Sequence, residues 1–295
     1  MESIDNERTW RLETWNRIKS EGFENLPPQF LRDLGVYGGA SGIWVDKSRT
    51  SELLTDPNGI TVGILHTGRH YPDDLSEDGL IYHYPVTNRP PSRDAGEVQA
   101  TRNAKDAGLP IFVILPGITN RTGRCVRIGW VEDWDDQAKL FLIIFGEQEP
   151  SLLEAPGLDT AFNLEGDYSS KTTSSKSRPN QQRFRFRLLK EYGPKCAVCS
   201  INLPQLLIAA HVRGKGEQGS DDWRNGVLLC GTHHDAFDQY LFGIDPEDLS
   251  IITAPNLSAR DLRIKERRLT PLSNQPHKEA LKWKWVETQK KWSAS

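Results

Sequence analysis

The chain has 295 residues, 26% of them charged and 37% hydrophobic, with a formal net charge of −3. That is the balance of a soluble globular protein of one large or two ordinary domains. It holds no run of about 18 apolar residues, which excludes a helical membrane span. The opening stretch, MESIDNERTW, is polar and acidic and has no apolar segment of a secretory signal, so a cytoplasmic protein is expected. In that compartment four cysteines do not suggest a disulfide framework.

The charge is unevenly spread. Residues 1–167 carry 16 Lys and Arg against 27 Asp and Glu, a net of −11, whereas residues 168–295 carry 21 against 13, a net of +8. The second half is the one suited to grip a polyanion, the alternative being a merely solvated basic surface.

In chain order, a leading helix over about 7–19 is followed by short β-branched and aromatic runs, TVGILH, LIYHYP, PIFVIL, RCVRIGWV and KLFLIIF, which read as strands. One helix interrupts them over about 94–107, stopped by Gly108 and Pro110. This half predicts a β-rich, curved sheet or barrel. A Ser/Thr/Lys-rich linker, YSSKTTSSKSRPNQ, then separates the two charge regimes. Beyond it, NQQRFRFRLLKEY predicts a helix ending at Gly193-Pro194, LPQLLIAAHV belongs to a two-stranded region, and a helix begins near His233. The tail PHKEALKWKWVETQKKW predicts a helix, basic on one side and tryptophan-bearing on the other. Trp283, Trp285 and Trp292 are possible interface residues. The expected divisions are a helical segment (1–32), a β-rich domain (33–166), a linker (167–181), a metal-containing domain (182–248) and a basic tail (249–295).

Three of the four cysteines fall within 35 positions, a clustering that points to metal. Cys196 and Cys199 form a CxxC, and Cys230 and His233 form a CxxH thirty residues on. Two such half-sites close one tetrahedral zinc site of three thiolates and one imidazole; a redox CxxC would not need the second pair. If His233 goes to zinc, His234 is left over, with Asp238 four residues later on the same helical face. This pair of nitrogen and oxygen ligands suits Mg²⁺, Mn²⁺ or a similar divalent ion.

AAHV, DWRNGVLLC and HHDAFD, in that order, resemble the HNH nucleases, a ββα-metal family, over roughly residues 182–245. The resemblance implies that His211 is the general base, that Asn225 orients the base and its loop, and that His234 holds the catalytic ion. One departure stands out: many members carry Asp or His just before the base, where this chain has Ala210. Asp238 is the expected substitute ligand. The competing interpretation is a zinc module that binds DNA without cutting it.

In the first half, GVYGGASGIW, HTGRHYPDDLSEDGLIYHYP and DAGEVQATRNAKDAGLPIFVI resemble the SRA domain, which reads modified cytosine by flipping it from the duplex. This resemblance implies Tyr71 and Tyr84 as the two stacking aromatics and Asp74 as the acceptor for the cytosine amine. A flipped base needs two flat faces and a polar partner for its edge. Pro72 departs from the usual acidic residue.

Together the resemblances imply an α+β protein, an SRA-like (PUA-like) curved barrel followed by an HNH domain with a zinc knuckle. The implied activity is that of a modification-dependent restriction endonuclease: a homodimer acting on double-stranded DNA that carries 5-methylcytosine or 5-hydroxymethylcytosine. Zinc would be structural and Mg²⁺ or Mn²⁺ catalytic. An HNH nuclease specific for a different DNA modification is the other alternative.

Overall fold

The computed structural model describes residues 3–39, 42–67, 74–119, 122–151, 157, 159–166, 180–269 and 274–294. The chain divides into two compact units, Met1–Leu152 and Leu153–Ser295. No helix among the described residues is long and apolar enough to cross a membrane.

The first unit contains helices α1 (Ile4–Ser20) and α2 (Pro28–Asp33), strand β1 (Ile43–Val45), a turn of helix α3 (Lys47–Thr50), strands β2 (Thr61–Leu65) and β3 (Gly79–His83), helix α4 (Pro91–Asp106), and strands β4 (Ile111–Pro116), β5 (Arg124–Asp135) and β6 (Leu140–Phe145). The strands form one sheet in the order β1-β2-β4-β5-β6-β3. Pairing is antiparallel except between β2 and β4. Side chains alternate across the sheet and feed two cores. Ala104 and Ala107 at the end of α4 join Ile111, Val113, Phe141 and Ile143 on one face. Trp15 and Ile18 of α1 and Leu31 of α2 join Phe112, Ile114, Val126 and Ile128 on the other.

The five strands read from the sequence are all present. The barrel, however, is not closed: among the described residues β1 and β3 remain the two edges of an open sheet. β1 is three residues long, and its register breaks between Trp44 and Val45. That leaves too little regular edge to pair on a second side. The edges nonetheless approach through side chains, since a Cβ on Gly42 would lie 2.9 Å from the Tyr82 hydroxyl.

α1 is fastened to this sheet by a buried charge. Its start is capped by Ser3, with Asp5 and Glu7 in the first turn, and Arg17 and Lys19 end it, the polarity a helix dipole favours. Arg11 is fully buried and donates Nε to Glu7 Oε1 at 2.7 Å and Nη1 to the carbonyls of Thr61 (2.9 Å) and Pro110 (2.7 Å). Burial pushes the Arg11 guanidinium down to about 10, with Glu7 opposing that shift. Arg49 supports Glu7 from the other side at 2.9 Å and lies over the Trp10 ring.

The second unit contains α5 (Gln181–Tyr192), a hairpin of β7 (Leu207–His211) and β8 (Gly226–Cys230), α6 (Gly231–Asp238), a second hairpin of β9 (Phe242–Ile244) and β10 (Ile251–Thr253), and α7 (Lys278–Ser293). α5 buries Phe184 and Leu188 against the hairpin. A Cβ on Gly226 would stand 2.6 Å from the Phe184 ring, so only glycine allows this approach. Residues 159–166, expected with the first domain, bond within the second unit. Arg224 Nη1 donates to Thr160 O (2.8 Å), Ser220 Oγ to Asn163 O (2.6 Å) and Gly166 N to Gln218 O (2.9 Å). The expected linker, up to residue 179, lies outside the described residues.

The tail tryptophans turn inward. Trp292 Nε1 donates to Tyr240 O at 2.6 Å, Trp285 packs edge-on against Trp292 and closes on Gly243, and Arg213 lies over Trp283. The packing of α7 thus occupies residues that the sequence left as possible interface.

Removing one partner of a buried ion pair strands the other, at a cost of about 3–5 kcal/mol. Arg11→Ala is therefore expected to lower the unfolding free energy of the first unit by about that amount in denaturant titrations. A loss below about 1 kcal/mol, the range of exposed pairs, would show that Arg11 does not anchor α1.

Candidate active site and metal centre

The four ligands read as a zinc site converge. The Sγ atoms of Cys196, Cys199 and Cys230 and a ring nitrogen of His233 all lie within 4.8 Å of one another, and all four residues are buried. Cys230 Sγ is 3.0 Å and Cys196 Sγ 3.7 Å from His233 Nδ1, and Cys199 Sγ is 4.0 Å from Cys230 Sγ. His233 Nε2 donates to Leu262 O at 3.0 Å, which leaves Nδ1 unprotonated and facing the thiols, the outer-shell arrangement that orients a metal-binding imidazole. The Cys230 amide donates to Cys196 Sγ at 3.4 Å. Burial raises the Cys196 and Cys230 thiols and lowers the His233 imidazole. The donor set and its spacing fit a tetrahedral zinc, which would convert the thiols to thiolates.

β7 ends in His211, paired with Gly226 across the hairpin. The imidazole stacks on Phe184 at 3.8 Å between centroids and 7° between planes. Its Nε2 donates to Asp221 Oδ1 at 3.0 Å, and Lys215 Nζ reaches Asp221 Oδ2 at 2.5 Å. Burial raises the Asp221 carboxyl, but the bonds from His211 and Lys215 outweigh it and hold the group below its ordinary value. Asp221 was not singled out from the sequence. It lies in an irregular loop, where no periodicity shows which residues face His211.

Asn225 is fully buried under that loop. Its Oδ1 accepts from Arg213 N at 2.9 Å, and its Nδ2 donates to Arg213 O (3.1 Å) and Ser220 O (2.9 Å). One carboxamide therefore closes the loop onto the hairpin. The crossing is so tight that a Cβ on Gly219 would lie 1.7 Å from Arg213 O. Asp222, beside Asp221, faces the other way, capping the next turn at Arg224 N (2.9 Å) and pairing with the Arg224 guanidinium at 2.7 Å.

α6 begins directly after Cys230. His233 turns into the cysteine cluster, while His234, next along, is partly exposed and sets its Nε2 3.8 Å from Asp238 Oδ2. His234 Nδ1 is buried without a hydrogen-bond partner. Among the described residues only the cysteine cluster brings three ligating side chains together.

Residues 196–245 match the family model of the HNH endonucleases. This segment is an HNH endonuclease domain. The chain also aligns, over 90% of its length and 91% of the other, with a solved structure described as a modification-dependent TagI restriction endonuclease, at 15% identity and a TM-score of 0.35. A search of curated proteins gave no match. His211, Asn225 and His234 all fall inside the HNH segment, on the strand end, the loop and the helix.

Outside the HNH domain, the base-binding residues expected in the first unit are not all gathered together. Tyr71 lies outside the described residues. Asp74 is buried and accepts from His83 Nε2 at 2.8 Å. Tyr84 follows His83, and strand alternation sends it to the opposite face. There its ring packs on Phe141 at 4.6 Å, and its hydroxyl donates to Asp136 at 3.1 Å and accepts from Arg102 at 3.3 Å. Burial pushes that hydroxyl up to about 12. His83, one position earlier than the expected aromatic, is the ring beside Asp74. His66 lies within electrostatic reach of both; burial lowers its pKa, Asp74 opposes that, and its Nε2 has no hydrogen-bond partner. Neither histidine had an argued partner in the sequence.

The metal centre makes a direct prediction. Purified protein is expected to carry zinc by elemental analysis. Cys199→Ser or Cys230→Ser is expected to lose it and to unfold the HNH domain at a lower temperature. Melting unchanged after complete zinc removal would show that the cluster is not structural.

Proposed function

We propose that the protein is a modification-dependent DNA endonuclease, in which the first unit reads a modified cytosine in duplex DNA and the HNH domain hydrolyses the backbone. The observation that carries the nuclease part is the split at the start of α6, His233 in the cysteine cluster and His234 facing out, beside a hairpin that ends in His211. In this reading His211 removes the proton from the attacking water, the general-base task that histidine performs most often. Asn225 holds the loop around it. His234 and Asp238 are the protein's ligands for Mg²⁺ or Mn²⁺, which when bound neutralises charge on the phosphate and the leaving oxygen.

The reader assignment rests on the motif order around Tyr71, Asp74 and Tyr84 and on the buried carboxylate of Asp74, suited to accept from an exocyclic amine. Since the Tyr84 ring is engaged by Phe141, we assign the stacking faces to Tyr71 and His83. Recognition requires the base to leave the duplex. Cutting both strands requires two HNH sites or one used twice, and we assign a homodimer formed through the C-terminal half. The imidazole of His83 at Asp74 favours a second reading: a pocket whose added polar group prefers 5-hydroxymethylcytosine or another mark over 5-methylcytosine.

Digestion of methylated, hydroxymethylated and unmodified plasmid with Mg²⁺ or Mn²⁺ tests both parts. Cleavage is expected only of modified DNA and is abolished by EDTA. Equal cutting of unmodified plasmid refutes the reader, and cutting of none refutes the nuclease assignment for these substrates. His211→Ala is expected to lower the cleavage rate by about 10²–10⁴-fold, with zinc content and melting temperature retained. Light scattering is expected to find a dimer; a fully active monomer on duplex DNA would contradict that assignment.

A further inference from the structure

The loop between β7 and β8 holds a carboxylate that neither the HNH signature nor the metal centre uses. Asp221 is the only described side chain with a hydrogen bond to the His211 ring, at 3.0 Å from Nε2. Three elements meet at the imidazole. Phe184 of α5 covers one ring face, the β7–β8 loop supplies Asp221 and, behind it, Lys215, and β7 supplies the backbone. The remaining ring nitrogen, Nδ1, has no hydrogen-bond partner among the described residues.

From this geometry we infer that Asp221 is a positioning residue for the nuclease reaction. It fixes His211 as the Nε2–H tautomer and leaves the Nδ1 lone pair to accept the proton of the attacking water. The inference rests on the nuclease reading of His211. In a neutral imidazole one nitrogen donates and the other accepts, and a fixed acceptor on one side decides which. An ionised carboxylate can only accept, so Asp221 admits one tautomer. Lys215 holds its second oxygen and keeps it from rotating away. The Phe184 stack fixes the ring plane.

In the step itself the water oxygen forms its bond to phosphorus as its proton passes to His211 Nδ1. The leaving oxygen departs with the electron pair of the broken P–O bond and takes a proton from solvent. The Nε2 proton stays between His211 and Asp221 throughout, so Asp221 stabilises the imidazolium without being protonated. The same logic places a carboxylate behind the histidine of hydrolytic triads, where its amide replacement admits the wrong tautomer.

The test uses the full-length protein and single-turnover cleavage of modified plasmid with Mn²⁺. Asp221→Asn is expected to slow cleavage by about 10²-fold or more, with DNA affinity within about twofold, the bounds of uniform binding, and zinc content and melting temperature unchanged. Asp221→Glu should restore part of the rate. In a His211→Ala background, Asp221→Asn should cost nothing further, since it acts through the imidazole. Selective ¹⁵N-histidine labelling should show the His211 ring protonated at Nε2 in the parent and losing that preference in Asp221→Asn.

Three results would overturn the inference. They are an Nδ1–H tautomer in the parent, an undiminished further loss in the His211→Ala background, and a defect in Asp221→Asn that raised Mn²⁺ fully restores, which would make Asp221 a metal ligand instead. A parent protein that cuts no DNA but shows the Nε2–H tautomer would sink the nuclease reading while leaving the His211–Asp221 pairing standing.

Discussion

The second unit depends on one strand-to-helix junction. β8 delivers Cys230 to the start of α6, and the next turn must satisfy two demands from adjacent residues. Successive side chains on a helix diverge by about 100°, so His233 and His234 cannot serve the same ion. His233 is committed inward by the thiols on Nδ1 and by the Leu262 carbonyl on Nε2. That commitment fixes the rotation of the helix and sends His234 outward beside Asp238. The hairpin register does the same for His211. His211 faces Gly226, and Leu207 faces Cys230. A slip of one residue would flip His211 to the other face of the ribbon and move Cys230 from the cluster.

The loop before β8 repeats this division with a second adjacent pair. Asp222 caps the turn that leads into Asn225 and grips Arg224, which in turn holds Thr160. Asp221 points to His211. In each pair one residue is held in the scaffold while its neighbour turns the other way. The short distance between them means that a displacement of the scaffold member moves its neighbour directly. Asn225 makes the coupling rigid. Its buried amide has three backbone partners, and a partner lost from such a site leaves a buried polar group unpaired.

Much of this was legible in the sequence because short-range spacing has local geometric meaning. CxxC and CxxH each fit one tight turn, and His234 and Asp238 are one helical turn apart, so the cluster and the outward pair followed from counting. The hydrophobic runs located β2 to β6 for the same reason. Closure of the barrel was not legible, because it turns on how long and regular β1 is, and three residues carry no period. Tyr84 was placed with Tyr71 and Asp74 by the resemblance to the SRA domain alone. A strand alternates with period two, so the ring beside Asp74 is that of His83, one position earlier. Asp221 and the strap of residues 159–166 are held by contacts between irregular segments, for which sequence offers composition but no register.

The tail helix also has a structural reason to be basic and aromatic. Lys284 of α7 is buried, with its ammonium 4.6 Å from the Phe237 ring centroid and 4.1 Å from that of Tyr240. Burial lowers its pKa, and the charge of Asp238 opposes that shift. Phe237 and Asp238 are the last residues of α6, where the helix dipole favours a cation. The two rings and the carboxylate together compensate the lost hydration of the ammonium. α7 thereby grips the end of α6 that carries Asp238, while the cysteine cluster grips its beginning. A helix held at both ends keeps His234 and Asp238 on one fixed face, the rigidity that a site shared by two side chains of a single helix would need.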